Sequence, residues 1–202
     1  MDLDSGARER ELTTGPDVDT PLDWSPDGAT IVCQRSGATG VDLSLMTVAT
    51  GRTESLTLNT SFSESRARLS PDGRWIAYAS DETGRNEVFV AECPSGRGKR
   101  AVSTGGGDFP QWRADGRELF YVSDLQTMMA VSVTTTARGP EVGPPAELFQ
   151  IDRPAEVSGR PEASLYRVDA TGQRFLIAVR APASSAPPIQ VIVNWPALLE
   201  QR

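Results

Sequence analysis

Residues 70–93, SPDGRWIAYASDETGRNEVFVAEC, decide the fold. The tripeptide Pro71-Asp72-Gly73 is typical of a tight turn, since Pro fixes φ, Asp caps the turn and Gly accepts a positive φ. The apolar triplet at residues 76–78 begins three residues after Gly73. A polar turn and a second β-rich run at residues 88–91 follow it. Short β-rich runs bounded by turns are typical of buried strands, so this stretch predicts a strand, a turn and a second strand.

The same unit is written four times. WSPDG at residues 24–28 recurs as LSPDG at 69–73, as WRADG at 112–116 and, more weakly, as VDATG at 168–172. The turn Asp and its equivalents, Asp27, Asp72, Asp115 and Thr171, are separated by 45, 43 and 56 residues. A period in the low forties is that of a four-stranded propeller blade.

A third kind of segment, at residues 52–57, 98–104 and 146–150, has the mixed polar and apolar character of an outer strand. The prediction is an all-β propeller of about four four-stranded blades, an incomplete, open ring of a larger six-bladed propeller. The stretch 137–161 has five prolines and predicts a loop-rich insertion around one outer strand. The expected organisation is a remnant of a preceding blade at 1–16, then blades at 17–60, 61–105, 106–152 and 153–202.

Two arrangements of the chain ends are open. Residues 8–13 align with the outer strand at 52–57, which indicates that the sequence begins partway through a blade. Residues 8–13 could pair with residues 191–195 and close a four-bladed ring. We favour the open arc, with the N-terminal segment beside the first blade.

Composition removes several function classes. Lys plus Arg total 20 and Asp plus Glu total 27, and a net charge of −7 argues against a nucleic-acid partner. The chain has no His, which excludes Ser-His-Asp, Cys-His and His-metal sites, and it has no GxSxG motif. Cys33 and Cys93 stand 60 residues apart in apolar stretches, which favours packing over metal or redox chemistry. We therefore expect no catalytic residues, no metal and no cofactor, and the sequence has no apolar run that would insert in a membrane.

Packing expectations follow from the repeat. Trp24 and Trp112 hold the same place in it, which favours packing between blades over ligand stacking. The turn glycines Gly28, Gly73 and Gly116 should have φ > 0. The positions expected to be buried are Ile31, Ile76, Ala77, Leu119, Phe120, Phe175 and Leu176.

Binding is expected on the loops at the open face of the propeller, because strands support loops rigidly while loop sequences vary freely. These loops are residues 36–41, 81–86, 123–127 and 181–188, with entry loops at 17–21, 59–65 and 105–110. The candidate binding residues on or beside them are Arg35, Asp81, Arg85, Asp108, Phe109, Asp124 and Arg180.

Residues 70–93 resemble the repeat of the TolB-type, WD-repeat-like β-propellers of bacteria. Residues 105–133, GGGDFPQWRADGRELFYVSDLQTMMAVSV, and the ending PIQVIVNWPALLEQR resemble a narrower group, the C-terminal propellers of bacterial serine/threonine protein kinases. The chain departs from the pattern at Cys33 and Gln34, and at residues 169–171, where Asp-Ala-Thr replaces Ser-Pro-Asp. No kinase motif occurs in the chain.

The resemblance implies a binding module rather than an enzyme. Its function would be that of a sensor or scaffold propeller in a larger signalling protein, with a protein or peptide partner or a small ligand at the propeller face. The alternative is a periplasmic TolB-like component of a cell-envelope complex. The residues show no signal peptide and leave the compartment open, and only the resemblance implies a periplasmic or other extracytoplasmic location.

Overall fold

A computed structural model describes residues 11–13, 19–36, 40–56, 58, 60–136, 139–152 and 164–179, and the backbone of Ile189–Val193. Within these residues all regular structure is β-strand, in sixteen strands that form four antiparallel sheets. The prediction of an all-β propeller of four sheets is confirmed.

The first two sheets each pair their strands in chain order, so every connection is a hairpin. The first sheet contains β1 (Asp19–Trp24), β2 (Thr30–Ser36), β3 (Val41–Thr47) and β4 (Thr53–Ser55). The second sheet contains β5 (Glu64–Leu69), β6 (Trp75–Ser80), β7 (Glu87–Glu92) and β8 (Arg100–Ala101).

The third and fourth sheets keep this order with one addition. The third sheet contains β9 (Asp108–Trp112), β10 (Glu118–Val122), β11 (Thr127–Thr136), β12 (Gly139–Val142) and β13 (Ala146–Gln150). The fourth contains β14 (Tyr166–Val168), β15 (Arg174–Ala178) and β16 (Ile189–Val193). Strand β12, which pairs with the end of β11, was missed at the sequence level, because the prolines of residues 137–161 indicated a loop. Pro140 is tolerated there because it lies at the sheet edge, where no donor is needed.

The turn that joins the first two strands of each sheet has the expected geometry. Gly28, Gly73 and Gly116 have φ of 73°, 71° and 70°, which confirms the prediction, and Gly172 of the degenerate copy has φ of 75°. In the second sheet Gly73 N donates to Ser70 O at 2.8 Å, and Ser70 Oγ donates to Asp72 Oδ1 at 2.6 Å. A left-handed residue is needed here, and Gly adopts it without steric cost.

The two turns that lack the Ser-Pro-Asp pattern replace its side-chain bonds. In the third sheet Arg113 Nε and Nη2 both donate to the carboxylate of Asp115 at 2.8 Å, and this pair lowers the pKa of Asp115 to about 2. In the fourth sheet the acid and the hydroxyl exchange places, since Thr171 Oγ1 donates to Asp169 Oδ1 at 2.9 Å. The turn therefore depends on a carboxylate that caps it, and different residue sequences can supply that carboxylate.

Successive turns also contact one another across the sheets. A Cβ built on Gly73 would lie 3.8 Å from Pro26 Cδ, and one built on Gly116 would lie 3.5 Å from Pro71 Cδ. At Gly172 the fit is closest, because a Cβ would lie 2.8 Å from Arg113 Cδ and 3.2 Å from Phe120 Cζ. Each turn thus packs beside the turn of the preceding sheet.

Three apolar clusters fill the spaces between neighbouring sheets, and the first strands β1, β5, β9 and β14 contact one another in that order. Among the contacts between described elements, none of comparable extent joins the first sheet to the fourth. The described residues thus form an open arc of sheets rather than a closed ring.

The largest side chains of these clusters come from all four sheets. The first cluster includes Val32, Leu43, Ile76, Tyr78 and Phe89. The cluster between the second and third sheets includes Trp75, Val88, Leu119, Tyr121 and Val131. The last cluster includes Phe120, Met128, Leu148, Tyr166 and Phe175.

The side chains that the repeat predicts to be buried are buried in the structure, except at the two ends of the arc of sheets. Ile76, Ala77, Leu119, Phe120 and Phe175 are buried as expected. Three expectations were wrong: Ile31 is only partly buried, Leu176 is 45% exposed and Trp24 is 55% exposed.

The pairing registers of the strands explain the three wrong expectations about burial. Trp24 pairs with Ile31, so both side chains share one face of the first sheet. Leu176 lies between the inward-facing Phe175 and Ile177, so it points to the opposite face of the fourth sheet. Both faces lie at ends of the arc, where no other described sheet covers them.

The described part of the N-terminal segment lies beside the first sheet. A Cβ on Gly51 would lie 2.1 Å from Leu12 O, so residues 11–13 pass close to the turn between β3 and β4. Ile189–Val193 pairs with β15 and not with residues 11–13. Residues 8–10 and 194–195, which the closed-ring alternative also uses, lie outside the described residues.

Trp112 and Trp24 provide a matched test of packing between sheets. Trp112 packs on the second sheet and its Nε1 donates to Arg68 O at 3.2 Å, whereas Trp24 is mostly exposed. We expect Trp112→Ala to lower the free energy of unfolding by about 3 kcal/mol and Trp24→Ala by less than about 1 kcal/mol. Urea unfolding of both variants measures the difference, and equal losses would contradict this packing.

Candidate functional site

The two ends of the sheets differ in how the backbone is held. We call the end with the four glycine turns the turn end, and the opposite end, where β2 joins β3, β6 joins β7 and β10 joins β11, the loop end. The loops that enter the second and third sheets, which join β4 to β5 and β8 to β9, also lie at the loop end. The candidate site lies there, between the second and third sheets.

A backbone distortion at the same repeat position marks the site. Arg66 in β5 and Phe109 in β9 each precede their turn glycine by seven residues, and their φ angles are 54° and 56°. Both lie where the pairing register shifts, which is the signature of a β-bulge. Bulky residues rarely adopt positive φ, so the two bulges store strain, and such strain clusters at functional sites.

The distorted strands bring a cation, an anion and an aromatic ring together. Arg66 Nε lies 3.0 Å from Asp108 Oδ1, and the Arg66 guanidinium lies 4.0 Å from the centroid of the Phe109 ring. Asn86 Nδ2 donates to Asp108 Oδ2 at 3.3 Å. Burial raises the pKa of Asp108 above its ordinary value, against the opposing influence of Arg66.

A second network ties the neighbouring loops to β7. The buried carboxylate of Glu87 accepts hydrogen bonds from Arg85 Nε at 3.1 Å, from Gly106 N at 2.9 Å and from Ser103 Oγ. A Cβ on Gly106 would lie 2.0 Å from Asp124 Cγ, so Asp124 of the third sheet packs directly on this loop. Gly107 N donates to Asn86 O at 2.9 Å, which completes the link to the Arg66 and Asp108 pair.

The structure brings four of the seven sequence-predicted residues together: Arg85, Asp108, Phe109 and Asp124. Asp81 is at the same end but caps the entry loop of its own sheet, where it accepts a bond from Ser63 N at 2.8 Å. Arg35 is in the first sheet and pairs with Asp19 at 2.9 Å. Arg180 lies outside the described residues.

Sequence reasoning missed Arg66 and Asn86, and also two exposed apolar side chains of the loop end. Phe62 is 43% exposed and Leu125 is 76% exposed. Arg66 was missed because its position reads as an ordinary strand residue. Its alignment with Phe109 in the repeat was the signal that could have found it.

The cluster combines three kinds of chemical group in one place. A guanidinium held over an aromatic ring and paired with a carboxylate offers charge, a planar donor and an apolar surface in a fixed arrangement. Within the described residues there is no group of three or more Cys, Asp or Glu that could hold a metal ion. No described helix is long and apolar enough to cross a membrane.

No family model matches the chain, and no curated protein matches it. Among solved structures it is similar to TolB from Acinetobacter baumannii, with a TM-score of 0.69 and 19% identity over 95% of this chain and 44% of that one. It is also similar to a TolB-type protein from Agrobacterium tumefaciens, with a TM-score of 0.55 and 22% identity over 68% of this chain and 51% of that one.

A puromycin-hydrolyzing peptidase of Mycobacterium tuberculosis has a similar region, with a TM-score of 0.57 and 21% identity over 83% of this chain and 27% of that one. The chain thus spans about half or less of the length of these proteins. The similarity shows a TolB-like propeller fold.

The strain at Phe109 can be measured by comparing two variants that both lack the ring. In an ordinary strand Gly is less stable than Ala by about 0.5 to 1 kcal/mol, but at a positive φ Ala carries a steric cost that Gly avoids. We expect Phe109→Gly to be more stable than Phe109→Ala by about 1 kcal/mol.

Leu176, which lies in regular strand geometry, is the control position. Leu176→Gly should be less stable than Leu176→Ala in the same urea unfolding assay. The same order at both positions would show that Phe109 carries no backbone strain.

Proposed function

We propose that this protein is a non-catalytic recognition propeller that binds a protein partner at the loop end of its second and third sheets. The observation that carries the proposal is the Arg66, Asp108 and Phe109 cluster on two strained bulges. A binding surface needs side chains that hold their positions before the partner arrives, since ordering them on binding costs affinity. Strands β5 and β9 supply that support.

The composition of the loop end suits a protein partner. Arginine and aromatic side chains contribute most strongly to protein interfaces, and here Arg66 and Phe109 are already in contact. The exposed Phe62 and Leu125 add apolar surface at the same end. The exposed Arg85 and Asp124 add the polar groups typical of an interface rim.

The proposed setting is a larger signalling protein, such as a bacterial serine/threonine kinase with this propeller as its sensor. The resemblance of residues 105–133 and 188–202 to kinase C-terminal propellers supports it. The alternative, a periplasmic TolB-like component of a cell-envelope complex, is favoured by the similarity to TolB over 95% of this chain. An in-frame kinase and a membrane span upstream in the gene would support the first, and a signal peptide in an envelope operon would support the second.

Site-specific photo-crosslinking tests the binding surface. A photoreactive amino acid replaces Leu125 or Arg85 at the loop end or, as the control, the exposed Arg117 at the turn end. The full-length protein is expressed in its own cells and irradiated. We expect one discrete protein adduct from both loop-end positions and none from Arg117, and loss of the adduct when Arg66→Ala is added.

Two results would contradict the proposed surface. One is an adduct that forms from Arg117 but from neither loop-end position. The other is a loop-end adduct that Arg66→Ala leaves at full yield while the variant remains folded by circular dichroism.

A further inference from the structure

Trp75 is a buried residue between the second and third sheets with an unused hydrogen-bond donor. It is the first residue of β6, its side chain belongs to the apolar cluster between these sheets, and it is 3% exposed. Its indole Nε1 is buried and forms no hydrogen bond within the described residues. A buried N–H without an acceptor destabilises the folded state, and most such groups in native proteins have a partner. Trp75 therefore needs an acceptor that the described residues do not supply.

A larger and a smaller cavity adjoin Trp75 at the turn end, and among the described residues Trp75 alone lines both. The larger cavity, of about 740 Å³, also contains the carboxylates of Asp72 and Asp115. The smaller cavity, of about 290 Å³, lies between the second and third sheets and is lined by Arg74, Trp75, Glu92, Arg97, Gly98, Thr136 and Gly139. Carboxylates repel an anion and guanidinium groups attract one, so an anionic acceptor for Trp75 belongs in the smaller cavity.

The backbone of the second sheet fixes the positions of the two arginines of the smaller cavity. Trp75 pairs with Glu92 in the ladder between β6 and β7. Beside this pair, Cys93 N donates to Arg74 O at 2.8 Å and Glu92 N donates to Arg97 O at 2.9 Å. The Arg74 guanidinium lies 5.8 Å from the centroid of the Trp75 ring. The two arginines and the indole are thus brought together by the pairing within one sheet.

The lining of the smaller cavity has unused donors and an excess of positive charge. Its one carboxylate among the described residues, that of Glu92, already accepts bonds from Arg97 Nε at 2.9 Å and from Ser95 Oγ at 2.5 Å. The two terminal nitrogens of Arg97 and the whole guanidinium of Arg74 form no hydrogen bond or ion pair within the described residues. Two arginines against one glutamate leave one positive charge. Unpaired guanidinium donors are the groups that bind carboxylates and phosphates in proteins.

We propose that the smaller cavity binds the oxyanion group, a carboxylate or a phosphate, of a small ligand. The indole Nε1 of Trp75 donates to one oxygen of this group, and the guanidinium groups of Arg74 and Arg97 donate to the others. The hairpin of β11 and β12 forms the opposite wall, since a Cβ built on Gly98 would lie 3.5 Å from Pro140 Cδ. The site lies at the turn end, so it is separate from the loop-end surface and does not depend on the proposed protein partner.

Titration of the full-length protein with sodium phosphate and with sodium acetate tests the site, with sodium chloride at equal ionic strength as the reference. Isothermal calorimetry gives the affinity, and tryptophan fluorescence reports on the indole of Trp75. Trp75→Phe keeps an aromatic ring but removes the N–H, and Arg74→Gln removes an exposed cation from the cavity. Arg52→Gln is the matched control, because it removes the same charge from an exposed arginine of the first sheet, which pairs with Glu54 at 3.1 Å.

We expect phosphate or acetate to bind the wild type and to change its fluorescence beyond the chloride reference, and the tighter of the two identifies the anionic group. Affinity should fall at least about tenfold in Arg74→Gln, about threefold or more in Trp75→Phe and less than about twofold in Arg52→Gln. If neither oxyanion exceeds chloride, or if Arg74→Gln binds as tightly as Arg52→Gln does, the proposal is wrong. If Trp75→Phe does not fold, Arg74→Gln alone decides the outcome.

Discussion

The contact between successive glycine turns is the constraint on which the arc of sheets depends. Each turn needs a left-handed residue to reverse the chain, and the same glycine leaves room for the turn of the preceding sheet. Pro26 lies beside Gly73, Pro71 beside Gly116 and Arg113 beside Gly172. Gly meets the dihedral requirement in all four turns, and at Gly172, where a Cβ would lie 2.8 Å from Arg113 Cδ, it also meets a steric requirement between sheets.

Fixing the turn end has consequences for the loop end. The sheets are held by their turns and by three apolar clusters, and at the loop end the Arg66 and Asp108 pair adds a polar contact between the second and third sheets. Strained geometry at Arg66 and Phe109 is tolerated there because the strands on both sides of each bulge are fixed by pairing. Stability at the turn end therefore supports a preorganised surface at the loop end.

The sequence predicted the structural features that a local pattern determines within one sheet. It missed the features that depend on packing between neighbouring sheets. The turn glycines, the order of the strands and the burial of Phe120 follow from the repeat, since each is set within one sheet. Trp24 and Trp112 are indistinguishable in the repeat, yet Trp24 is exposed because no other described sheet covers its face. Arg66 and Asp108 meet only after two sheets pack, 42 residues apart in the chain. The loop end could be identified from the sequence, but the cluster within it could not.

The central claim, that packed glycine turns hold the sheets together, is tested most directly by comparing Gly172→Ala with Gly84→Ala in urea unfolding. Both glycines have positive φ, of 75° and 88°, but a Cβ at Gly172 meets Arg113 and Phe120 whereas one at Gly84 meets nothing within 4 Å. Both variants should share the dihedral cost, and Gly172→Ala should lose about 1 to 2 kcal/mol more because of the crowding. Equal losses would show that the turns reverse the chain without holding the sheets together.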